Sequence, residues 1–113
     1  MPGTYNNDNL YMVGSSAFFD YATASESIEL AVGTIAVTLA ATTKCWIKVG
    51  DPGESPTAAK PSAEKTWVQR TVPLNAGSEI DIAVPESTDA APVKIAVSAD
   101  AAAGVLDITA RRE

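Results

Sequence analysis

The 113-residue chain contains no histidine and only one cysteine, Cys45. Without an imidazole, neither a Ser-His-Asp nor a Cys-His nucleophile system can be built, and histidine-ligated metal sites are excluded as well. One cysteine can form neither an internal disulfide nor a structural zinc site. We therefore expect a protein that is not an enzyme and that needs no metal or other cofactor.

Basic charge is also scarce, with 8 Lys and Arg against 14 Asp and Glu and a net charge of −6. Because nucleic-acid binding depends on clustered Lys and Arg, we expect no nucleic-acid partner. No apolar run approaches the ~20 residues of a membrane-spanning helix. The N-terminus lacks the basic start and apolar stretch of a signal peptide. We therefore expect a soluble protein that is made in the cytoplasm and does not associate with membranes.

Aromatic residues make up only 6% of the chain, and all of the tyrosines and phenylalanines lie in the first 25 residues. This segment mixes Asn, Gly and Ser, and no helical or strand period is sustained through it. We interpret residues 1–25 as an N-terminal arm and residues 26–113 as a single domain. The arm either folds back over the core or extends onto a neighbouring subunit. Its candidate partner-binding residues are Tyr5, Leu10, Tyr11, Phe18, Phe19 and Tyr21.

From Ser27 onward, apolar residues recur at every second position, as in strands with one buried face. The parity of this pattern changes at Gly33, which indicates a tight turn or a bulge, and Gly77 lies in a second predicted turn. Residues 51–65 contain three prolines and a glycine and are predicted to be a loop. The pattern predicts an all-β fold, a small antiparallel β-sandwich or jelly-roll-like barrel of about seven strands. The expected inward residues are Ile28, Leu30 and Val32; Ile35, Val37 and Leu39; Cys45, Ile47 and Val49; Val68, Val72 and Leu74; Ile80, Ile82 and Val84; Val93, Ile95 and Val97; and Leu106, Ile108 and Ala110.

The same alternation decides how the stretch around Cys45 is interpreted. Lysines can activate a thiol, but Lys44 and Lys48 point to the opposite face of the strand, so Cys45 is predicted to be a core residue. Trp46 shares the outward face with these lysines, and Trp46 and Trp67 flank the long loop. The two tryptophans could stack on a sugar, pack against the loop or contact another subunit. Contact with a subunit is favoured because no other polar groups converge there.

Four short motifs occur along the chain, and their order and spacing are more informative about its family than any single motif. They are residues 46–49 (WIKV), 55–58 (SPTA), 74–77 (LNAG) and 104–109 (GVLDIT). In this order the chain resembles small β-sandwich structural proteins from the virions of tailed bacteriophages. It departs from their plan in a longer loop after SPTA and in its own N-terminal segment.

The resemblance implies a structural protein of the virion. Such a protein would be a capsid decoration (cement) protein, the base of a head fibre, or a neck or tail fibre component. It would bind the major capsid protein or other virion proteins and act as a homo-oligomer, with a trimer as the expected state. The alternative, which rests on Trp46 and Trp67, is a carbohydrate-binding β-sandwich module.

Overall fold

The computed structural model describes residues 12–62 and 71–112, and the fold consists of eight β-strands within these ranges. These described residues contain no helix, so none of them belongs to a helix that could span a membrane. The all-β prediction is confirmed. Seven strands correspond to the seven periodic segments of the sequence, and the first strand is additional. The strands are β1 (Met12–Tyr21), β2 (Glu26–Glu29), β3 (Thr34–Ala41), β4 (Cys45–Val49), β5 (Thr71–Leu74), β6 (Glu79–Ala83), β7 (Lys94–Ala99) and β8 (Gly104–Arg112).

The strands form two four-stranded antiparallel sheets. Sheet A has the order β1-β8-β3-β6, and sheet B has the order β2-β7-β4-β5. The pairs β1–β8, β2–β7, β3–β6 and β4–β5 are nested, as if one long hairpin had been folded over on itself. The additional pairs β3–β8 and β4–β7 complete the two sheets. Eight strands connected in this way form a jelly roll, which is one of the two architectures that the sequence predicts.

The core lies between the two sheets and is built from the inward positions of both. In β3 and β4 the buried residues alternate with more accessible ones, as the period-two pattern predicts. Burial of aliphatic side chains contributes roughly 1.5–3 kcal/mol each, so this layer is the main source of stability. Its fully buried members include Val37, Leu39, Cys45, Ile47, Leu74, Val93, Ile95, Val97 and Leu106.

Among the described residues, two that were predicted to be inward are exposed, Val72 at 42% on the edge strand β5 and Ile35 at 48% on β3. The exposure of Ile35 has a local cause. The pairing of β3 with β8 shifts register between Thr34 and Ala36, which is a β-bulge. A one-residue insertion reverses the parity of a strand, so Thr34 takes the buried position in place of Ile35. The Thr34 hydroxyl is satisfied there by donating to Ala31 O at 2.7 Å. The turn predicted at Gly33 is confirmed, and this glycine adopts a φ of 93°.

Residues 12–21, which the sequence analysis assigned to the arm, form a strand of the sandwich. β1 pairs with β8 from Met12 opposite Arg112 to Tyr21 opposite Gly104. The register shifts between Val13 and Ser16, so the strand contains a bulge. The bulge, together with the Gly-Ser-Ser run at residues 14–16, breaks the alternation that would have marked a strand. The sandwich therefore begins upstream of residue 26, and residues 1–11 lie outside the described residues.

Candidate partner-binding surface

Cys45 lies at the start of β4 and is fully buried in the core. Burial raises the pKa of its thiol, and a hydrogen bond with the Tyr21 side chain acts in the opposite direction. A buried thiol with a raised pKa is a poor nucleophile because the reactive species is the thiolate. The prediction that Cys45 is a core residue is confirmed.

Tyr21, a predicted partner-binding residue, is also a core residue, with a side chain that is only 2% exposed. Its hydroxyl donates to Thr43 O at 2.7 Å and accepts from Thr43 N at 3.2 Å. These bonds join the end of β1 to the turn between β3 and β4. Because an inward strand position buries the ring and the turn satisfies the hydroxyl, Tyr21 is not available to a partner.

The remaining aromatic residues of the predicted arm divide between the two sides of β1. The side chain of Phe18 is 70% exposed, whereas that of Phe19 is half-buried and packs against the core. Tyr5, Leu10 and Tyr11 lie outside the described residues. Among the aromatic candidates that the structure describes, Phe18 is therefore the one whose ring is accessible to a partner.

Phe18 stands at one side of an open groove of about 360 Å³ on the outer face of sheet A. The register explains the groove, because Phe18 pairs with Asp107, Asp107 with Ala40, and Ala40 with Glu79. Small side chains in the middle and larger ones at the sides leave a depression across the sheet. We call this depression the sheet A groove. Its lining residues include Ser16, Phe18, Thr38, Ala40, Glu79 and Asp107. The inward positions predicted for Leu106 and Ile108 imply an outward Asp107, but a groove could not be predicted from the sequence because it depends on strand order.

Trp46 lies on the outer face of sheet B, where it is half-buried. Its indole Nε1 donates to Asp100 Oδ1 at 3.0 Å, and the Lys44 ammonium lies 5.4 Å from the centre of its ring. The Lys60 Nζ lies 3.9 Å from Asp100 Oδ1. We call these four residues the Trp46 cluster. The sequence-based expectation that no polar groups converge on Trp46 is wrong, because the chain brings Asp100 back beside it. Trp67 lies outside the described residues.

Asp100 is the electrostatic centre of the Trp46 cluster. The hydrogen bond from Trp46 lowers the pKa of its carboxyl group, and the charges of Lys60 and Lys44 act in the same direction. Desolvation partly opposes these effects. Asp100 is therefore an anion at neutral pH, and it orients the indole by accepting its hydrogen bond.

The loop that contains the SPTA motif crosses the outer face of sheet B. Gly53 N donates to Pro92 O at 2.8 Å, and Ala58 N donates to Ser25 Oγ at 2.9 Å. Near its start, Lys48 Nζ lies 3.5 Å from Glu54 Oε2. On the same face, the outward residues Ala96 and Ser98 of β7 are buried, and the Ser98 hydroxyl donates to Thr23 O at 2.8 Å. Through these hydrogen bonds the loop is part of the packed structure, and Pro56 and Ala58 are buried among its described residues.

The described residues contain no group of three possible metal ligands. Their accessible chemistry consists of carboxylates, threonines and the exposed ring of Phe18 on sheet A, and the Trp46 cluster on sheet B. Surfaces of this kind can bind another molecule through shape, stacking and charge.

The architecture places the chain among the jelly-roll β-sandwiches, a class that includes viral capsid domains, lectin domains and cupins. No family model matches the sequence, and comparison with curated proteins and with solved structures gives no match either.

Proposed function

We propose that this chain is a structural protein of a bacteriophage virion, a capsid decoration (cement) protein that binds and stabilises the head shell as a homo-oligomer. The observation that carries the proposal is the nested eight-strand jelly roll. This architecture recurs in viral capsid domains. Since one fold hosts many functions, the fold alone would not suffice, and the ordered motifs of the sequence add the second line of support.

The four motifs fall at positions that hold the jelly roll together. WIKV forms most of β4, and SPTA contributes the buried Pro56 and Ala58 of the loop on sheet B. LNAG forms the turn between β5 and β6, where Gly77 adopts a φ of 76°. GVLDIT is the first part of β8, the strand that pairs with both β1 and β3. Each motif therefore occupies a structural position in the jelly roll, which supports the resemblance at the level of fold.

The partners in this proposal are the major capsid protein or other virion proteins. A symmetric shell presents many equivalent sites, so a homo-oligomer would gain affinity through multivalency even if each contact were modest. The exposed Phe18 is the best candidate anchor, because desolvated aromatic residues dominate the binding energy of most interfaces.

The test is a count of this chain in purified particles of a phage that encodes it, measured by quantitative mass spectrometry. We expect a copy number in the hundreds, proportional to that of the major capsid protein, and particles without the chain should open at a lower temperature. Absence from the particle would contradict the proposal. A count of a dozen or fewer would instead indicate the neck or tail position.

The contact residue can be tested with purified chain and particles that lack it. Phe18→Ala should weaken particle binding at least ~10-fold and leave the unfolding temperature nearly unchanged, because the ring is mostly exposed. Val72→Ala is the matched control, since Val72 is the exposed aliphatic residue of the edge strand β5 in the other sheet. Equal binding by wild type and the Phe18 variant would remove Phe18 from the interface.

A second candidate function is carbohydrate binding at the Trp46 cluster. It is favoured by one observation, the convergence of Lys44 and Asp100 on an aromatic ring, with Lys60 beside Asp100. Carbohydrate-binding sites commonly combine an aromatic surface with charged hydrogen-bonding groups, and lectin domains are found among jelly rolls. A glycan array with wild type, Trp46→Ala and Trp67→Ala separates the two functions. Binding that is lost in the Trp46 variant would support the module, and an array with no hits would remove it.

A further inference from the structure

The four edge strands of the two sheets differ in how well they are protected against pairing with another strand. β2 has only four residues, with Glu26 and Glu29 at its ends, and β5 has four residues that include Pro73. β6 has five residues and carries Glu79 and Asp81. Short length, charge and proline are the devices by which natural proteins block an exposed edge.

β1 is the exception, because it is ten residues long and has neither proline nor lysine. The bulge between Val13 and Ser16 bends its first part, which also discourages pairing. From Ser16 to Tyr21 the pairing with β8 is regular, and residues 16–19 are uncharged. In the described part of the chain, the strand order places nothing on the other side of β1. Residues 16–20 therefore present a regular row of backbone donors and acceptors that can accept another strand.

The two sides of this edge offer different surroundings to the side chains of an added strand. Towards the core, a cleft of about 90 Å³ opens between β1 and β2. We call it the edge cleft; its apolar lining includes Ala17, Ile28, Leu30, Ile108 and Ala110. The small side chain of Ala17 leaves this space open on the inward side of β1. A cavity of ~150 Å³ holds a whole benzene molecule. The edge cleft is smaller, at about 90 Å³, and has room for one branched aliphatic side chain.

An added strand would lie beside β1 in the plane of the sheet, about 4.8 Å away. On the outer face of the sheet, its side chains would be next to Ser16, Phe18 and Asp20 of β1. Asp107, the partner of Phe18 on β8, adds a second carboxylate on this face. The basic residues of β8, Arg111 and Arg112, pair with the opposite end of β1, at Val13 and Met12. The outward side chains of an added strand would therefore meet negative charge and an exposed aromatic ring, an environment that favours Lys or Arg.

From these observations we infer that the free edge of β1 is a binding site for an extended segment of a partner protein, which adds a strand to sheet A. The segment alternates aliphatic side chains, facing the edge cleft, with Lys or Arg, facing Phe18 and Asp20. A second copy of β1 does not fit this description, since its charged residue is Asp20 and it carries no Lys or Arg between Ser16 and Tyr21. In the proposed function such a segment would belong to a virion protein, and only the identity of the partner rests on that function.

The test uses the full chain and a fluorescent, terminally blocked nine-residue peptide that alternates valine with lysine and threonine. We expect saturable binding by fluorescence anisotropy, together with slower amide hydrogen exchange at residues 16–20. The same peptide with proline at its centre should bind at least ~10-fold more weakly, because proline removes a backbone donor. A version with glutamate in place of lysine should also bind more weakly.

Two protein variants locate the site, and each has a matched control on the opposite edge of sheet A. Ala17→Phe should fill the edge cleft and reduce peptide affinity at least ~10-fold, whereas Ala83→Phe on β6 should not. Asp20→Lys should reverse the preference, so that the glutamate peptide binds better than the lysine peptide. Glu79→Lys makes the same charge change on β6 and should leave the preference intact. The reversal keeps the test informative if the Ala17 variant folds poorly.

Several results would overturn the inference. One is the absence of binding by any peptide of the set at millimolar concentration. A second is protection of residues 16–20 that increases with protein concentration alone, which would show that a second copy occupies the edge. A third is full protection in the monomer without peptide, which would show that the chain covers its own edge. Peptide binding needs no particle, so it can succeed where the virion test fails, and each result then contradicts one proposal only.

Discussion

At the residue scale, one hydroxyl network fixes how closely three segments of the chain approach one another. The hydroxyl of Tyr21 meets the backbone of Thr43, and Thr43 Oγ1 donates to Ala102 O at 2.9 Å. Gly104 lies inside this network, and a Cβ at that position would come within 3.0 Å of the hydroxyl oxygens of Tyr21, Thr42 and Thr43. Residue 104 must therefore be a glycine, because these hydroxyl oxygens occupy the space that a Cβ atom would take.

We expect Gly104→Ala to lower the free energy of unfolding by about 1–3 kcal/mol, the usual cost of overpacking. Urea unfolding followed by tryptophan fluorescence measures the change. The neighbouring exposed residue provides the control, since Ala103→Ser should change stability by less than about 0.5 kcal/mol. A Gly104 variant as stable as the wild type would mean that the network can relax around a methyl group.

The carboxyl group of Asp100 makes stability depend on pH. Its pKa is lowered in the folded state, so the stabilising contribution is present above the ordinary carboxyl range and is lost as the pH falls through the folded-state pKa. We expect the unfolding free energy to decrease below about pH 4, and to decrease less steeply in Asp100→Asn. Urea unfolding at a series of pH values measures both slopes. Asn75→Ala, which changes an exposed uncharged residue in the turn between β5 and β6, should retain the wild-type slope.

At the scale of elements, β1 combines a structural and an exposed side. Its inward residues Phe19 and Tyr21 pack on or within the core, while Phe18 faces the sheet A groove. Sequence patterns missed this strand because the bulge after Val13 shifts the parity of its residues. Such a shift depends on the partner strand β8 and is not visible in a single segment.

This dual role predicts different outcomes for two truncations. Removal of residues 1–21 deletes β1 and should lower the free energy of unfolding by at least about 3 kcal/mol, because it empties the core positions of Phe19 and Tyr21. Removal of residues 1–11 keeps β1 and serves as the reference, so the difference between the two chains is the contribution of the strand. Circular dichroism and urea unfolding measure it. Cooperative unfolding at wild-type stability in the shorter chain would show that β1 is not part of the core.

At the scale of the whole molecule, the nested pairing brings together residues from opposite ends of the chain. β1 pairs with β8, so the first described strand and the last one are neighbours in sheet A. Each such pair must close a long loop before it gains any contact, which is an entropic cost. Jelly rolls therefore belong to the folds with predominantly non-local contacts.

For this reason we expect refolding on the scale of milliseconds to seconds, as is usual for β-sandwiches. Stopped-flow fluorescence after dilution from urea measures the rate, with Trp46 as one of the two tryptophan probes. A refolding time in microseconds would contradict the role of long-range pairing. Tyr21→Phe should slow the reaction only if the contact of β1 with the β3–β4 turn forms before the transition state.

The sequence by itself determined the strands with an unbroken period of two, the turns at Gly33 and Gly77, and the inward position of residues such as Cys45. These features depend on neighbours that are close in the chain, so a local pattern is enough to predict them. Only the tertiary structure decided the exposed position of Ile35, the strand β1, the burial of Ala96 and Ser98, and the meeting of Trp46 with Asp100. Each of these depends on which distant segment lies beside the residue. The path of a loop and the order of strands in a sheet are properties of the folded chain as a whole.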